Sequence, residues 1–289
     1  MSLTRRALPF LAPLISGCTP ARLANALTPS GGYRLEAGLT YQPGPRGGLD
    51  VYEPAGASPA TPLLVFFYGG GWRSGDREAY RFVAQALTTL GCAVAVPDYR
   101  LMPEGPWPAF MEDGAAAVRW LRQGPAAGRP MVLMGHSAGA FIALGLATDP
   151  RWLGDAARSR LAAAIGLAGP YDFQPEAPEY LATFARAPGR HARATPLDAG
   201  ELAGSPPTLL MHGLADDLVS PGQSRVLAAR LQSAGCPVRE IEYAGLGHIG
   251  LVAALAAPLR QLGLAGAPVL ADIGAFLRDY GLREPARPA

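Results

Sequence analysis

Met131-Val132-Leu133-Met134-Gly135-His136-Ser137-Ala138-Gly139 is the stretch that decides how this 289-residue chain folds. Four apolar residues lead into a Gly-x-Ser-x-Gly pattern, and Ala138 to Thr148 follows as a helix-like apolar stretch. A short apolar run bounded by glycine reads as a strand buried on both faces. A strand that turns this sharply into a helix strains the backbone at the serine. Glycines two residues before and two after it remove Cβ clashes. The hydroxyl is then held clear of the sheet edge, above a helix N-terminus that favours developing negative charge. The pattern alone is weak; with a strand before it and a helix after it, it points to Ser137 as a nucleophile.

Outward from this turn, similar apolar runs alternate with amphipathic stretches. The other runs are Leu63 to Tyr68, Cys92 to Pro97, Ala162 to Leu167, Thr208 to Met211 and Val238 to Tyr243. Helices are expected over about Arg77 to Leu90, Phe110 to Arg122, Gly222 to Ala234 and Pro268 to Asp279. This alternation predicts an α/β fold, a mostly parallel sheet with helices on both faces. Ahead of it, Tyr33 to Tyr52 reads as an antiparallel hairpin around the turn Pro43 to Gly48. One long interval, about 170–205, breaks the rhythm and is expected to be a small lid insert.

A serine hydroxyl needs a base, and the base needs an orienting acid. There are four histidines. His136 lies inside the turn, its side chain expected to point elsewhere. His191 lies in the insert, and His212 ends a strand. Only His248, in the Gly-flanked stretch Ala244 to His248, comes late enough to be the base. The acid should follow the strand Thr208 to Met211, where Asp216 and Asp217 compete. The spacing favours Asp216, 32 residues before His248; Asp217 better suits solvent or a helix cap. Three glycines follow the strand ending at Tyr68, and the amides of Gly69, Gly70 and Ala138 are assigned as oxyanion donors. No metal or organic cofactor is implied.

The formal net charge is only +2, with every basic residue an arginine and no run of like charges. That argues against nucleic acid as a partner. Hydrophobic residues make up 49% of the chain, ample for one core. Of three cysteines, Cys92 and Cys236 are expected to be thiols behaving as small apolar residues. Cys18 closes an N-terminal segment with Arg5 and Arg6 ahead of a largely apolar stretch of ten residues, Ala7 to Ser16. That length suits a signal-peptide core rather than a membrane span, and Ile15-Ser16-Gly17-Cys18 resembles a lipobox. Residues 1–18 are therefore expected to direct export to the periplasm or to membrane attachment through lipidated Cys18; the alternative is a cytoplasmic protein with a loosely packed N-terminal arm and a chance cysteine. Residues 19–32 would be a linker, 33–282 the catalytic domain and 283–289 a tail.

Several blocks together carry a family resemblance: Tyr68-Gly69-Gly70-Gly71-Trp72, Pro97-Asp98-Tyr99-Arg100-Leu101-Met102-Pro103-Glu104, Pro108 to Asp113, Gly135 to Gly139, His212 to Val219 and Gly247-His248. The chain resembles the esterase/lipase branch of the α/β-hydrolase fold, with its hormone-sensitive-lipase-like carboxylesterases and kynurenine-formamidase-like enzymes. Gly169 to Phe173 also looks like esterases of the feruloyl/acetylxylan type. The resemblance implies an eight-stranded sheet and a serine carboxylesterase acting on short-chain or small aryl or acetyl esters. Two alternatives stay open. One is an arylformamidase or peptidase-like amide hydrolase on the same triad; the other is a catalytically silent, lipid-anchored binding protein. The family usually has His where Tyr68 stands, a residue implied to support the turn. The Asp98-Tyr99-Arg100 block is implied to be scaffold behind it.

Overall fold

The structure, a computed structural model, describes residues 24–172, 178–185 and 202–282. The expected signal segment with Cys18, the histidine at 191, much of the insert and the tail lie outside those residues.

Eight strands form one sheet: β1 Tyr33–Thr40, β2 Gly48–Pro54, β3 Leu63–Phe67, β4 Ala93–Pro97, β5 Met131–His136, β6 Leu161–Leu167, β7 Thr208–Gly213 and β8 Val238–Tyr243. Their order is β1-β2-β4-β3-β5-β6-β7-β8. The β1–β2 hairpin is antiparallel, and β2 runs antiparallel to β4. From β4 onward every pairing is parallel. The pattern of burial explains the order. Every residue of β3, β4, β5 and β7 is buried, as continuous apolar strands between two helix layers should be. The edge strands β1 and β8 carry exposed charged residues such as Arg34, Arg239 and Glu240, which blunts edge-to-edge pairing.

The helix Ala138–Thr148 is buried at all eleven positions. It has no polar face to turn outward, which suits a helix packed between the sheet and its neighbours. Two elements run further than the apolar runs indicate. Gly135 and His136 extend β5 by pairing with Gly166 and Leu167 of β6. His212 and Gly213 extend β7 by pairing with Glu242 and Tyr243 of β8. The helix expected from Arg77 starts at Arg81, after a 3-10 turn at Glu78–Tyr80. Five short helices among the described residues were not anticipated: Pro150–Leu153, Asp155–Arg158, Pro178–Thr183, His248–Ala253 and Ala257–Gln261. Each spans four to six residues, too few for hydrophobic periodicity to register.

The stretch expected as linker is tied down from Asn25. Its Nδ2 donates to the Glu78 carbonyl at 2.7 Å, and its Oδ1 accepts from the Phe82 amide at 3.1 Å. Cys92 and Cys236 are buried thiols.

The Asp98-Tyr99-Arg100 block braces the turn after β3. Tyr68 donates its hydroxyl to Asp98 Oδ1 at 2.8 Å. Asp98 also accepts the Arg77 amide at 2.9 Å and the Arg77 guanidinium. Tyr99 donates to the Tyr68 carbonyl at 2.7 Å and stacks on its ring with centroids 4.6 Å apart. Arg100 holds the fully buried Asp113 through Nε and Nη2. Tyr68 thus supports the turn through its ring and a charge-assisted hydrogen bond.

Candidate active site

Ser137 stands between β5 and the helix Ala138–Thr148 with φ 54° and ψ −123°. For a non-glycine residue this backbone costs of order 1–3 kcal/mol. Surrounding contacts leave the chain no other path. A Cβ on Gly135 would sit 2.2 Å from the Gly139 carbonyl oxygen. One on Gly139 would sit 2.0 Å from the Phe67 carbonyl oxygen. Both glycines are therefore required by close backbone approach. The Ser137 amide donates to the Leu167 carbonyl at 2.9 Å, which ties the turn to β6.

His248 is the first residue of the helix His248–Ala253, with Gly247 at the cap position. Its Nδ1 lies 2.7 Å from Asp216 Oδ2. The other carboxylate oxygen accepts the Leu218 amide at 3.0 Å and the Val219 amide at 2.8 Å. Burial pushes the Asp216 carboxyl up, but the Val219 amide, the His248 ring and the Leu218 amide outweigh it. The group is held below the ordinary carboxylate range, so it is ionised and acts as acceptor to all three donors. Asp217 is exposed.

Ser137 and His248 wall the same cavity of about 320 Å³. Asp216 approaches the ring of His248 from the side of Nδ1, leaving Nε2 as the ring nitrogen for other partners. Gly70, Gly71 and Ala138 also line this space. Here the structure departs from the expected oxyanion donors. Gly69 is not in the wall; its backbone amide acts on the phenol oxygen of Tyr80, opposing the burial that raises Tyr80 to about 12. Gly70 at φ 127° and Gly71 at φ 61° make the turn toward the cavity. Ala138, at the first position of its helix, has an amide with no partner inside the helix.

His136 is closer to the site than expected. Its Nε2 is 3.1 Å from the His248 carbonyl oxygen, and the two rings are 4.9 Å apart. Burial, reinforced by the neighbouring His248, pushes it down to about 3, so it is neutral and donates through Nε2. Tyr80, Tyr180, Leu218, Val219 and Ile249 complete much of the wall. Sequence reasoning assigned none of these five to the cavity; Val219 entered only as the end of the block that begins at His212. Tyr180 comes from the helix Pro178–Thr183 inside the long insert. Trp72 closes one side, with Phe110, Phe141 and Phe184 packed against it at centroid distances of 5.5, 5.0 and 5.0 Å.

A strained serine, a histidine bound to a carboxylate and turned amides on one cavity define a hydrolase-type site. The sequence pattern of the α/β-hydrolase fold family matches residues 64–251, and the chain belongs to that family. Among curated relatives, it is 31% identical to a kynurenine formamidase of Danio rerio over 134 residues, 46% of this chain and 45% of that protein. It is 31% identical to an acetyl-hydrolase of Streptomyces hygroscopicus over 207 residues, 64% of this chain and 67% of that protein. The chain thus spans less than half the length of the formamidase. Among solved structures, a truncated carbohydrate esterase from gut microbiota superposes with a TM-score of 0.72 at 20% identity. That match covers 89% of this chain and 99% of the other.

Proposed function

We propose that this protein is a serine carboxylesterase acting on small, short-chain carboxylic esters. The observation that carries the proposal is the 2.7 Å pairing of His248 with Asp216 on a cavity that Ser137 also lines. His248 takes the Ser137 proton as Oγ attacks the ester carbonyl. The oxyanion forms against the amides of Gly70, Gly71 and Ala138. The base returns its proton to the departing alkoxide, leaving an acyl-enzyme and a free alcohol. Water repeats the sequence, releasing a carboxylic acid and restoring Ser137. Asp216 keeps the Nδ1 proton in place and stabilises the transient imidazolium. A cavity of about 320 Å³ is at the small end for ligand sites, which supports short acyl groups. The acetyl-hydrolase relative supports the same substrate class.

Ser137→Ala is expected to lower kcat on p-nitrophenyl acetate by about 10⁴-fold or more, with Tm little changed. Near-full activity of purified variant, free of contaminating hydrolase, would overturn the proposal. The formamidase relative makes aryl formamides the second substrate class to assay on the same protein. We further propose export, with lipidation at Cys18. Intact mass of membrane-extracted protein should show a diacylglyceryl addition on a chain beginning at Cys18; an unmodified full-length mass would exclude it.

A further inference from the structure

His212 is the penultimate residue of β7, four residues before Asp216, and its side chain is fully buried. Its Nε2 is 2.9 Å from the Val219 carbonyl oxygen and 3.2 Å from Asp216 Oδ2. Its Nδ1 is 2.8 Å from the hydroxyl of Ser224, itself fully buried on the helix Gly222–Ser233. A carbonyl oxygen only accepts, so Nε2 carries the proton. Burial pushes His212 down, so the ring is neutral. Nδ1 is then the acceptor and Ser224 the donor. One tautomer satisfies every partner.

The contacts close a ring. His212 donates to the Val219 carbonyl, and the Val219 amide donates back to Asp216 Oδ1 at 2.8 Å. The positive end of the His212 Nε2–H lies beside the other carboxylate oxygen, the one that receives His248. We propose that His212 is a positioning residue for the acid. It locks the loop that grips Asp216 and tempers the carboxylate's basicity toward His248, with Ser224 fixing its tautomer. This rests on reading Ser137, Asp216 and His248 as the triad.

The physical consequence has a sign. A neutral N–H beside Oδ2 stabilises the carboxylate and weakens its hold on a proton-bearing His248. Without it, Asp216 draws the imidazolium more strongly. The acid limb of kcat/KM, which reports protonation of the base in free enzyme, then moves to higher pH. Among the described residues, the ionisable groups that act on the Asp216 carboxylate are His248 from its own helix, His212 from β7 and His136 from the end of β5.

The test is the pH profile of kcat/KM on p-nitrophenyl acetate for wild type, His212→Asn, His212→Gln and Ser224→Ala. Asparagine is too short to place an N–H at the Nε2 position. It should cost about tenfold or more in kcat/KM and raise the acid limb by about 0.5–1 pH unit. Glutamine reaches that position and should return the limb toward wild type. Ser224→Ala should shift it in the same direction by less, and it reads the same effect if His212→Asn does not fold. An acid limb unmoved in the folded variants, with only Tm lowered, would overturn the proposal and leave His212 structural. Ser137→Ala separates the two failures. If that variant stays active, the triad is wrong; if it is dead while the limb never moves, only the role of His212 is wrong.

Discussion

At the end of β5 the Ser137 hydroxyl is held by where the backbone cannot go; at the end of β7 the Asp216 carboxylate is held by what donates to it. The first region contains Gly135 and Gly139, where any Cβ would fall 2.2 Å or less from a carbonyl oxygen. Its geometry is steric and follows from packing of β5, β3 and the buried helix Ala138–Thr148. In the second region the comparable collision is at Gly213, where a Cβ would fall 2.1 Å from the Leu246 carbonyl oxygen; it shapes the turn three residues before the carboxylate but does not place the carboxylate itself. Its geometry comes from two loop amides, His248 and the nearby His212. A steric device stores strain and has one solution. A hydrogen-bonded device depends on charge, and so answers to pH and to isosteric substitution.

Asp216→Asn attacks the second region without changing its shape, and its effect on turnover is expected to approach that of Ser137→Ala. The amide would present an N–H₂ to His248 Nδ1, forcing the proton to the wrong ring nitrogen or leaving Nδ1 without a donor role. We expect kcat to fall by about 10⁴-fold with KM little changed. A fall of less than about tenfold would mean that the acid is dispensable. The same substitution has a stability signature. The carboxyl is held below its ordinary value in the fold. Its contribution is therefore complete above the unfolded value, about pH 4, and is lost as pH drops through the lower folded value. Asn removes that term, so unfolding free energy should depend less steeply on pH below about pH 4. Urea titrations at several acidic pH values read this directly. An unchanged slope would show that the loop amides and His248 do not favour the ionised form in solution.

The same contrast explains what the amino-acid sequence discloses. The Ser137 turn is legible because close backbone approach leaves glycine as the residue for 135 and 139, and glycine is visible as a letter. The five strands β3 to β7 are legible because burial on both faces demands unbroken apolar runs such as Leu63 to Phe67; Val238 to Tyr243, read as such a run, is instead a half-exposed edge strand. The turn proposed to hold the oxyanion is legible only as a region. Gly69, Gly70 and Gly71 are three identical residues, and only their backbone angles and the Tyr80 phenol separate the first from the other two. His212 carries no periodic or steric mark. It is one more strand-end residue until the loop after it folds back and puts the Val219 carbonyl 2.9 Å from its ring. The cavity wall is the least legible part. Tyr80, Tyr180 and Ile249 come from three distant segments, and only the tertiary fold assembles them.

Ser137→Gly tests the steric region with the smallest expected effect, and in the opposite direction. A serine at φ 54° costs of order 1–3 kcal/mol, while glycine adopts that backbone freely. Set against this is the larger entropy that glycine loses on folding, about 0.5–1 kcal/mol. The variant should therefore be inactive and yet more stable than wild type by about 1 kcal/mol. Urea unfolding should show it as a higher midpoint at unchanged m-value. A lower midpoint would mean that the serine side chain contributes more through contacts than its backbone costs. The turn would then be an unstrained element rather than one held in place by Gly135, Gly139 and the packing behind them.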